Sequence, residues 1–174
     1  AQMIGPGLTK AAIAARVDGA VWELDRPIER DAGFAILTDR DPDALEVLRH
    51  STAHILATAV RELFPGAGIG FGPPIEDGFY YDFDVPRPFT PEDLEAIEKK
   101  MAEVVERDYP FRREVVDRGE ANRRFADDPL KLERIGELGD DEVISVYTDG
   151  PFQDLCRGPH IPSTGRLKHF KLLH

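Results

Sequence analysis

Two short motifs, separated by more than half of the chain, constrain its fold more than any other feature. Residues 50–54 read HSTAH and residues 156–160 read CRGPH, so each motif carries two nitrogen or sulfur donors four positions apart. Side chains at i and i+4 of a helix lie one above the other and can reach one point. We expect the fold to bring together His50, His54, Cys156 and His160. Such a set suits either a tetrahedral zinc ion or a water-activating hydrolytic pocket.

Composition limits the classes of protein to which the chain can belong. Its 174 residues are 41% hydrophobic, which is ordinary for one globular core with a small appended unit. No apolar run approaches the length of a membrane span, so we predict no membrane partner. The single cysteine excludes an internal disulfide and fits a reducing compartment, which predicts a cytoplasmic protein.

The charge of the chain is negative overall but uneven. A formal net charge of −11 argues against broad electrostatic binding of nucleic acid. Residues 157–174, however, contain no acidic side chain. The basic side chains of this tail are Arg157, Arg166, Lys168 and Lys171. These side chains can bind a phosphate backbone or form a solvated edge of the protein. Composition slightly favours the solvated edge.

Hydrophobic patterning and turn signals predict an α+β fold with mixed or antiparallel sheet and packed helices, because strands and helices follow no regular βαβ rhythm. A DG dipeptide at 18–19 joins two short strands as a hairpin. The predicted strands are 12–17, 20–24, 34–38, 69–71, 78–83, 111–116 and 143–147, and the predicted helices are 42–64, 91–108, 120–125 and 130–138.

The first long helix carries one of the two motifs. Asp41 before Pro42 predicts a carboxylate N-cap followed by proline at the first helical position. At 100° per residue, one apolar arc comprises Leu45, Leu48, Ile55, Leu56, Ala59 and Leu63. His50 and His54 lie nearly opposite, among small residues, and we expect that second face to leave room for a ligand. Ser51 replaces the glutamate that a zinc protease needs beside its first histidine.

Cys156 has two interpretations from its neighbours alone. An unpaired cysteine is most often a small buried apolar residue. Arg157 and His160 would depress the pKa of its thiol if they approach it. The glycines of residues 68–72 resemble a phosphate loop only superficially, since Pro73 and Pro74 prevent a helix from following them.

Three longer segments carry a resemblance to a known family. Residues 48–54 (LRHSTAH), 75–82 (IEDGFYYD) and 154–160 (DLCRGPH) closely resemble bacterial threonyl-tRNA synthetases. Residues 4–8 (IGPGL) onward resemble the end of that family's small TGS domain, and a related editing fold occurs in alanyl-tRNA synthetases. The resemblance implies a partial β-grasp TGS segment at residues 1–40. It also implies an editing domain at residues 41–174, truncated at its C-terminal end.

In that family the corresponding region proofreads, so the resemblance implies hydrolysis of serine from tRNA(Thr). The implied catalytic residues are His50, His54, Lys131, Cys156 and His160, and the implied substrate-binding residues are Tyr81, Tyr147 and Asp154. His50 is the candidate base, Lys131 would stabilise the oxyanion, and Asp154 would hold the serine ammonium. Serine lacks one methyl of threonine, a difference that yields only about 10–200-fold discrimination, which is why a second site is needed.

The implied partners are the 3′ end of tRNA(Thr) carrying serine and the remainder of a synthetase. Editing in this family requires no cofactor, although His50, His54, Cys156 and His160 remain candidate zinc ligands. Two alternatives stay open: a structural zinc-binding module and an RNA-binding accessory module, neither of them hydrolytic. The chain lacks the ATP-binding motifs of class II synthetases, and we expect an excised fragment rather than a free-standing form.

Overall fold

A computed structural model describes residues 5–173, so Ile4 of the TGS-like match lies outside the described residues. The helices are α1 (Pro6–Ala11), α2 (Pro42–Leu63), α3 (Pro91–Glu106), α4 (Arg118–Arg124) and α5 (Pro129–Glu137). The strands are β1 (Ala12–Val17), β2 (Ala20–Trp22), β3 (Phe34–Thr38), β4 (Gly68–Ile69), β5 (Pro74–Ile75), β6 (Gly78–Phe79), β7 (Phe83–Asp84), β8 (Phe111–Val116), β9 (Ile144–Asp149) and β10 (Phe152–Leu155). The predicted α+β class, with antiparallel sheets and packed helices, is confirmed.

The N-terminal sheet has the order β2-β1-β3 and is antiparallel throughout. Its predicted hairpin is confirmed, because Asp18 and Gly19 both adopt positive φ, at 47° and 87°, as a tight two-residue turn requires. Ile13 and Leu37 belong to the same buried cluster as the residues of α2. The sheet therefore shares the main core rather than forming a separate one.

Helix α2 begins as predicted, but its N-cap differs. Asp41 occupies the N-cap position without capping the helix, since its carboxylate accepts a hydrogen bond from the backbone N–H of Thr38 at 2.7 Å. Pro42 at the first helical position needs no hydrogen-bond donor. The predicted carboxylate cap was therefore wrong, and the carboxylate instead ties β3 to the start of α2.

The predicted single apolar arc of α2 was also wrong. Leu45 and Leu63 are 46% and 36% exposed, whereas every residue from Ser51 to Val60 is buried. The reason is tertiary: α3 and several strands contact α2, so the second half of the helix is covered on all sides. His54 consequently is buried and lies at the bottom of a cavity rather than on an open helix surface.

The central sheet has the order β10-β9-β8 and presents two different faces. Arg113, Tyr147 and Asp154 form one cross-strand row, because Tyr147 pairs with both of the others. The neighbouring row is Phe111, Asp149 and Phe152, and both phenylalanine rings contact the His54 ring of α2. The opposite face packs against α4 and α5 through Ala121, Phe125, Ile135, Ile144 and Val146. Strand alternation thus separates a polar face towards α2 from an apolar one.

The segment from 68 to 84 forms the predicted hairpin in two short pieces. β5 pairs with β6 next to the turn, and β4 pairs with β7 further out. Between them, the backbone N–H of Gly70 donates to the carbonyl of Asp82 at 2.8 Å. Tyr81 is buried and Tyr80 is 44% exposed, so neighbouring side chains of this segment point to opposite sides. Among the described residues, no helix is both long and apolar enough to cross a membrane.

Candidate active site

The two motifs meet, with His50 and His54 on α2 and Cys156 and His160 in the segment after β10. One donor atom from each of the four lies within 4.8 Å of the others. The sulfur of Cys156 is 3.1 Å from Nε2 of His50 and 3.3 Å from Nε2 of His160. Residues 156–160 form no helix, so the helical-spacing argument was wrong for that motif. A loop with Gly158 at φ +68° brings its two donors together instead.

Ser51 fixes the orientation of His160. In the sequence, Ser51 is notable only because it stands where a zinc protease has a glutamate. Its hydroxyl donates to the carbonyl of Val47 at 2.8 Å and accepts from the N–H of Ile161 at 3.1 Å. A serine has one hydroxyl hydrogen. Since that hydrogen is already used, Nδ1 of His160, 3.0 Å away, must be the donor to Ser51. The lone pair of His160 Nε2 therefore faces Cys156.

A buried polar network adjoins the tetrad. Lys131 Nζ lies 2.6 Å from Oδ1 of Asp154 and donates to the carbonyl of Gly70 at 2.6 Å. The hydroxyl of Tyr81 donates to Oδ2 of Asp154, and Nε2 of His54 lies 3.6 Å from the same oxygen. Lys131 and Asp154 are 1% and 3% exposed. Both Asp154 oxygens are therefore already engaged by protein groups.

Burial sets the charge of the tetrad. It lowers the pKa of His50 to about 4 and holds the pKa of His54 and of His160 well below the ordinary value. It also raises the pKa of the Cys156 thiol to about 12. The expectation that Arg157 would depress this pKa was wrong, because the Arg157 side chain is 72% exposed and pairs with Glu142 at 2.6 Å. At neutral pH the site holds neutral imidazoles and a neutral thiol.

Two tyrosine side chains pack directly against glycines, Tyr147 against Gly158 and Tyr81 against Gly72. The Tyr147 ring contacts the His160 ring at a centroid distance of 4.6 Å, with an interplanar angle of 70°. A Cβ at Gly158 would lie 1.9 Å from the Tyr147 hydroxyl oxygen, and one at Gly72 would lie 2.1 Å from the Tyr81 ring. Gly72 belongs to the glycine-rich segment 68–72 of the sequence, but its contact with Tyr81 could not be predicted from that pattern.

A cavity of about 720 Å³ opens onto part of this cluster. The predicted site residues that line it are His50, His54, Tyr81, Asp154 and Cys156. Tyr147 and His160 instead line a second cleft, of about 580 Å³, between the N-terminal and central sheets. Lys131 lies behind Asp154 and lines neither space. The structure therefore brings all eight predicted residues together but exposes only five of them to the larger cavity.

Comparisons with known proteins find relatives that match nearly the whole chain. Over 172 residues it is 54% identical to the threonine–tRNA ligase of Symbiobacterium thermophilum, with 98% of the chain and 26% of the ligase covered. The corresponding ligases of Maricaulis maris and Azoarcus sp. are 56% and 57% identical over 98% and 99% of the chain, which covers 27% of each. The chain is homologous to threonine–tRNA ligases.

It spans about a quarter of the length of these ligases. Residues 144–174 match the family described as the threonyl and alanyl tRNA synthetase second additional domain. This match covers β9 and β10 and contains Cys156 and His160. Half of the tetrad thus lies in the part that threonyl and alanyl synthetases share.

The donor set of the tetrad suits zinc. Tetrahedral zinc is commonly held by cysteine and histidine with bonds of about 2.0–2.3 Å. The four donor atoms, which lie within 4.8 Å of one another, would have to move only slightly closer together to form such bonds. Nδ1 of His160 is held by Ser51, as the outer nitrogen of a metal-bound histidine usually is. Nδ1 of His54 is buried without a hydrogen-bond partner among the described residues. The Cys156 thiol would have to lose its proton on binding.

The basic tail is tied to the protein surface. Arg157 pairs with Glu142, Lys168 lies 3.1 Å from Asp39, and Lys171 lies 2.8 Å from Glu98. Arg166 donates to the backbone carbonyls of Lys10 and Thr9. Since each of these side chains already has a protein partner, the arrangement favours the solvated-edge interpretation over a phosphate grip.

Proposed function

We propose that this site removes serine from mischarged tRNA(Thr) by hydrolysis of the aminoacyl ester. One observation carries the proposal: a neutral His/Cys tetrad adjoins a buried Lys131–Asp154–Tyr81 network, and members of both line one cavity, in a chain homologous to threonine–tRNA ligases. Water adds to the ester carbonyl, the bond from that carbon to the ribose oxygen breaks, and the ribose oxygen leaves with a proton.

The cavity fits the end of an aminoacylated tRNA. Its walls include Phe71, Pro73 and Pro74, which offer apolar surface to the terminal adenosine. Its polar side groups include those of His50, His54, Cys156 and Asp154, which suit the small esterified amino acid. Charged side chains, among them Asp43, Glu46 and Arg134, also line the cavity. A mostly apolar pocket with a few convergent polar groups is the usual form of such sites.

Exclusion of threonine follows from packing. The Tyr81 ring is held between Gly72 and the hydrogen bond to Asp154, so it cannot retreat to admit a methyl group. Packed interiors resist even one added methylene. Tyr81 is therefore the wall against which the serine side chain fits and the threonine methyl does not.

His50 is the group placed to receive the proton of the attacking water. It lines the cavity, and its lowered pKa, about 4, leaves the imidazole unprotonated at neutral pH. Its Nε2 lies 3.1 Å from the Cys156 sulfur, so the thiol must turn towards Nε2 of His160 before water can reach the His50 nitrogen. Its low basicity means that it orients water well and removes the proton only as the carbonyl is attacked. Cys156 shapes the pocket, because its raised pKa keeps the sulfur protonated.

For Lys131 and Asp154 we propose roles other than those that the resemblance implied. Lys131 does not reach the cavity, and its ammonium group is engaged by Asp154 and the Gly70 carbonyl. Asp154 is engaged by Lys131 and Tyr81. We therefore assign both as positioning residues that fix Tyr81 and the loop at Gly70, rather than as direct ligands of the oxyanion and the ammonium group.

The test is a deacylation assay with the purified chain. Ser-tRNA(Thr) should lose serine much faster than in buffer, while Thr-tRNA(Thr) should be spared. His50→Ala should abolish most of the acceleration, and His169→Ala, which alters an exposed histidine, should not. Serine release at the buffer rate, or equal release of both amino acids, would contradict the proposal.

A structural zinc site is the second candidate function. It is favoured by the spacing of the four donors and by Nδ1 of His54, which has no hydrogen-bond partner within residues 5–173. Zinc bound only to the folded chain would raise its melting temperature with metal concentration, and chelation would lower it. Elemental analysis finding stoichiometric zinc, together with a large drop in melting temperature on chelation, would support this candidate. A melting temperature indifferent to both treatments would exclude it.

A further inference from the structure

The N-terminal sheet contributes a buried carboxylate behind the candidate active site. Glu23 directly follows β2 and is 8% exposed. Its Oε1 lies 3.4 Å from Nε of Arg113 on β8. Arg113 is the cross-strand partner of Tyr147, so both side chains stand on the same face of the central sheet. Glu23 thus joins the N-terminal sheet to the row of residues beside the tetrad.

Two polar atoms at this junction lack a hydrogen-bond partner among the described residues: Oε1 of Glu23 and the hydroxyl of Tyr147. Both residues line the second cleft, of about 580 Å³. Buried polar groups without partners are rare in folded proteins. A carboxylate accepts hydrogen bonds and a tyrosine hydroxyl can donate one, so the two groups are complementary. Burial raises the pKa of Tyr147, and the nearby Glu23 carboxylate raises it further.

The position of the Tyr147 ring matters for the tetrad. The Tyr147 hydroxyl occupies the space that a side chain at Gly158 would need. The Tyr147 ring contacts the His160 ring edge to face. His160 in turn is aligned with Ser51 through Nδ1 and with Cys156 through Nε2. A displaced Tyr147 ring would therefore leave His160 free to tilt away from both partners.

We propose that Glu23 is a positioning residue: its carboxylate accepts the hydrogen of the Tyr147 hydroxyl and holds the Tyr147 ring against His160. The N-terminal sheet then contributes to the geometry of the site without touching the substrate. The catalytic consequence rests on the proposed function, but the contact can be tested whether or not the chain is active.

The experiment compares Glu23→Ala and Glu23→Gln with Asp25→Asn, which removes an exposed charge that lines the same cleft. Histidine side chains labelled with nitrogen-15 report the His160 ring by NMR, and single-turnover assays report serine release. Glu23→Ala should shift the His160 ring signals and slow the chemical step about 10-fold with little change in KM, because catalytic geometry is lost. Glu23→Gln keeps an acceptor oxygen and should stay within about 3-fold of the unmodified chain. Asp25→Asn should change neither.

Tyr147→Phe completes the test, since it removes the hydroxyl and almost no volume. It should shift the same His160 signals, and adding Glu23→Ala to it should have no further effect. Unchanged His160 signals in folded Glu23→Ala, or additive effects of the two substitutions, would overturn the proposal. If Glu23→Ala does not fold, unchanged His160 signals in Tyr147→Phe overturn it alone. An inactive unmodified chain would refute the proposed function, while the NMR comparison would still decide the role of Glu23.

Discussion

Gly158 and Tyr147 fit together so closely that a Cβ on Gly158 would lie 1.9 Å from the tyrosine hydroxyl oxygen. The glycine also adopts φ +68°, a conformation that other residues reach only with strain. Together with the hydrogen bonds between Cys156 and Ser145, this contact holds the loop that carries Cys156 and His160 against the middle strand of the central sheet.

Gly158→Ala should therefore destabilise the chain and disturb the tetrad. Left-handed backbone at a residue other than glycine costs about 1–3 kcal/mol, and displacement of Tyr147 adds to it. Urea unfolding would measure the loss. Gly78→Ala is the matched control, because a Cβ at Gly78 meets nothing within 4 Å. Equal stability of the two variants would show that the loop relaxes without cost.

Gly72→Ala should affect selectivity as well as stability. The added Cβ would lie 2.1 Å from the Tyr81 ring, so the ring must move and its hydrogen bond to Asp154 must weaken. We expect slower release of serine and a smaller ratio between serine and threonine release, both measured by deacylation. Gly66→Ala, at a position with open space, should leave the ratio unchanged. An intact ratio in Gly72→Ala would remove Tyr81 from the role of excluding wall.

Lys131→Met should be strongly destabilising, because it leaves Asp154 buried without a counter-ion. Breaking one partner of a buried ion pair typically costs about 3–5 kcal/mol. Adding Asp154→Leu should restore part of that loss, since no unpaired charge then remains. Lys99→Met, at an exposed position, should change the free energy of unfolding little. A mild Lys131→Met phenotype with full loss of activity would instead indicate direct contact with the substrate.

Asp149 predicts a specific pH dependence of stability. Burial raises its pKa well above the ordinary value, and its Oδ2 lies 2.7 Å from the Thr58 hydroxyl, which also lies 3.0 Å from the carbonyl of His54. The folded state therefore keeps a proton that the unfolded state releases above pH about 4. The free energy of unfolding falls as pH rises through this window, by at most about 1.4 kcal/mol per pH unit from this group.

Asp149→Asn should remove that contribution, because its amide can donate to Thr58 at every pH. The variant should gain stability relative to the unmodified chain as pH rises from about 4 towards 7, measured by urea unfolding at each pH. Asp127→Asn, at an exposed position, should show no such trend. Parallel stability profiles for Asp149→Asn and the unmodified chain would mean that Asp149 is ionised in the fold.

Local features of the fold were predictable because their causes are local. The Asp18-Gly19 turn and the Thr90 cap of α3, where Thr90 accepts from the backbone of Asp93, follow from residues within a few positions of one another. Burial around α2 could not be predicted in the same way. Its second half is buried on all sides because distant segments cover it, and no helical periodicity contains that information.

The same distinction between local and long-range causes applies to the candidate site. Residue types and motif order were sufficient to select the four donors of the tetrad, because few side chains offer nitrogen or sulfur lone pairs. The tertiary structure alone decided their protonation, the engagement of Lys131 by Asp154, and the positions of Ser51 and Glu23. The physical reason is that pKa values and hydrogen-bond partners depend on desolvation and on neighbours that are remote in the chain.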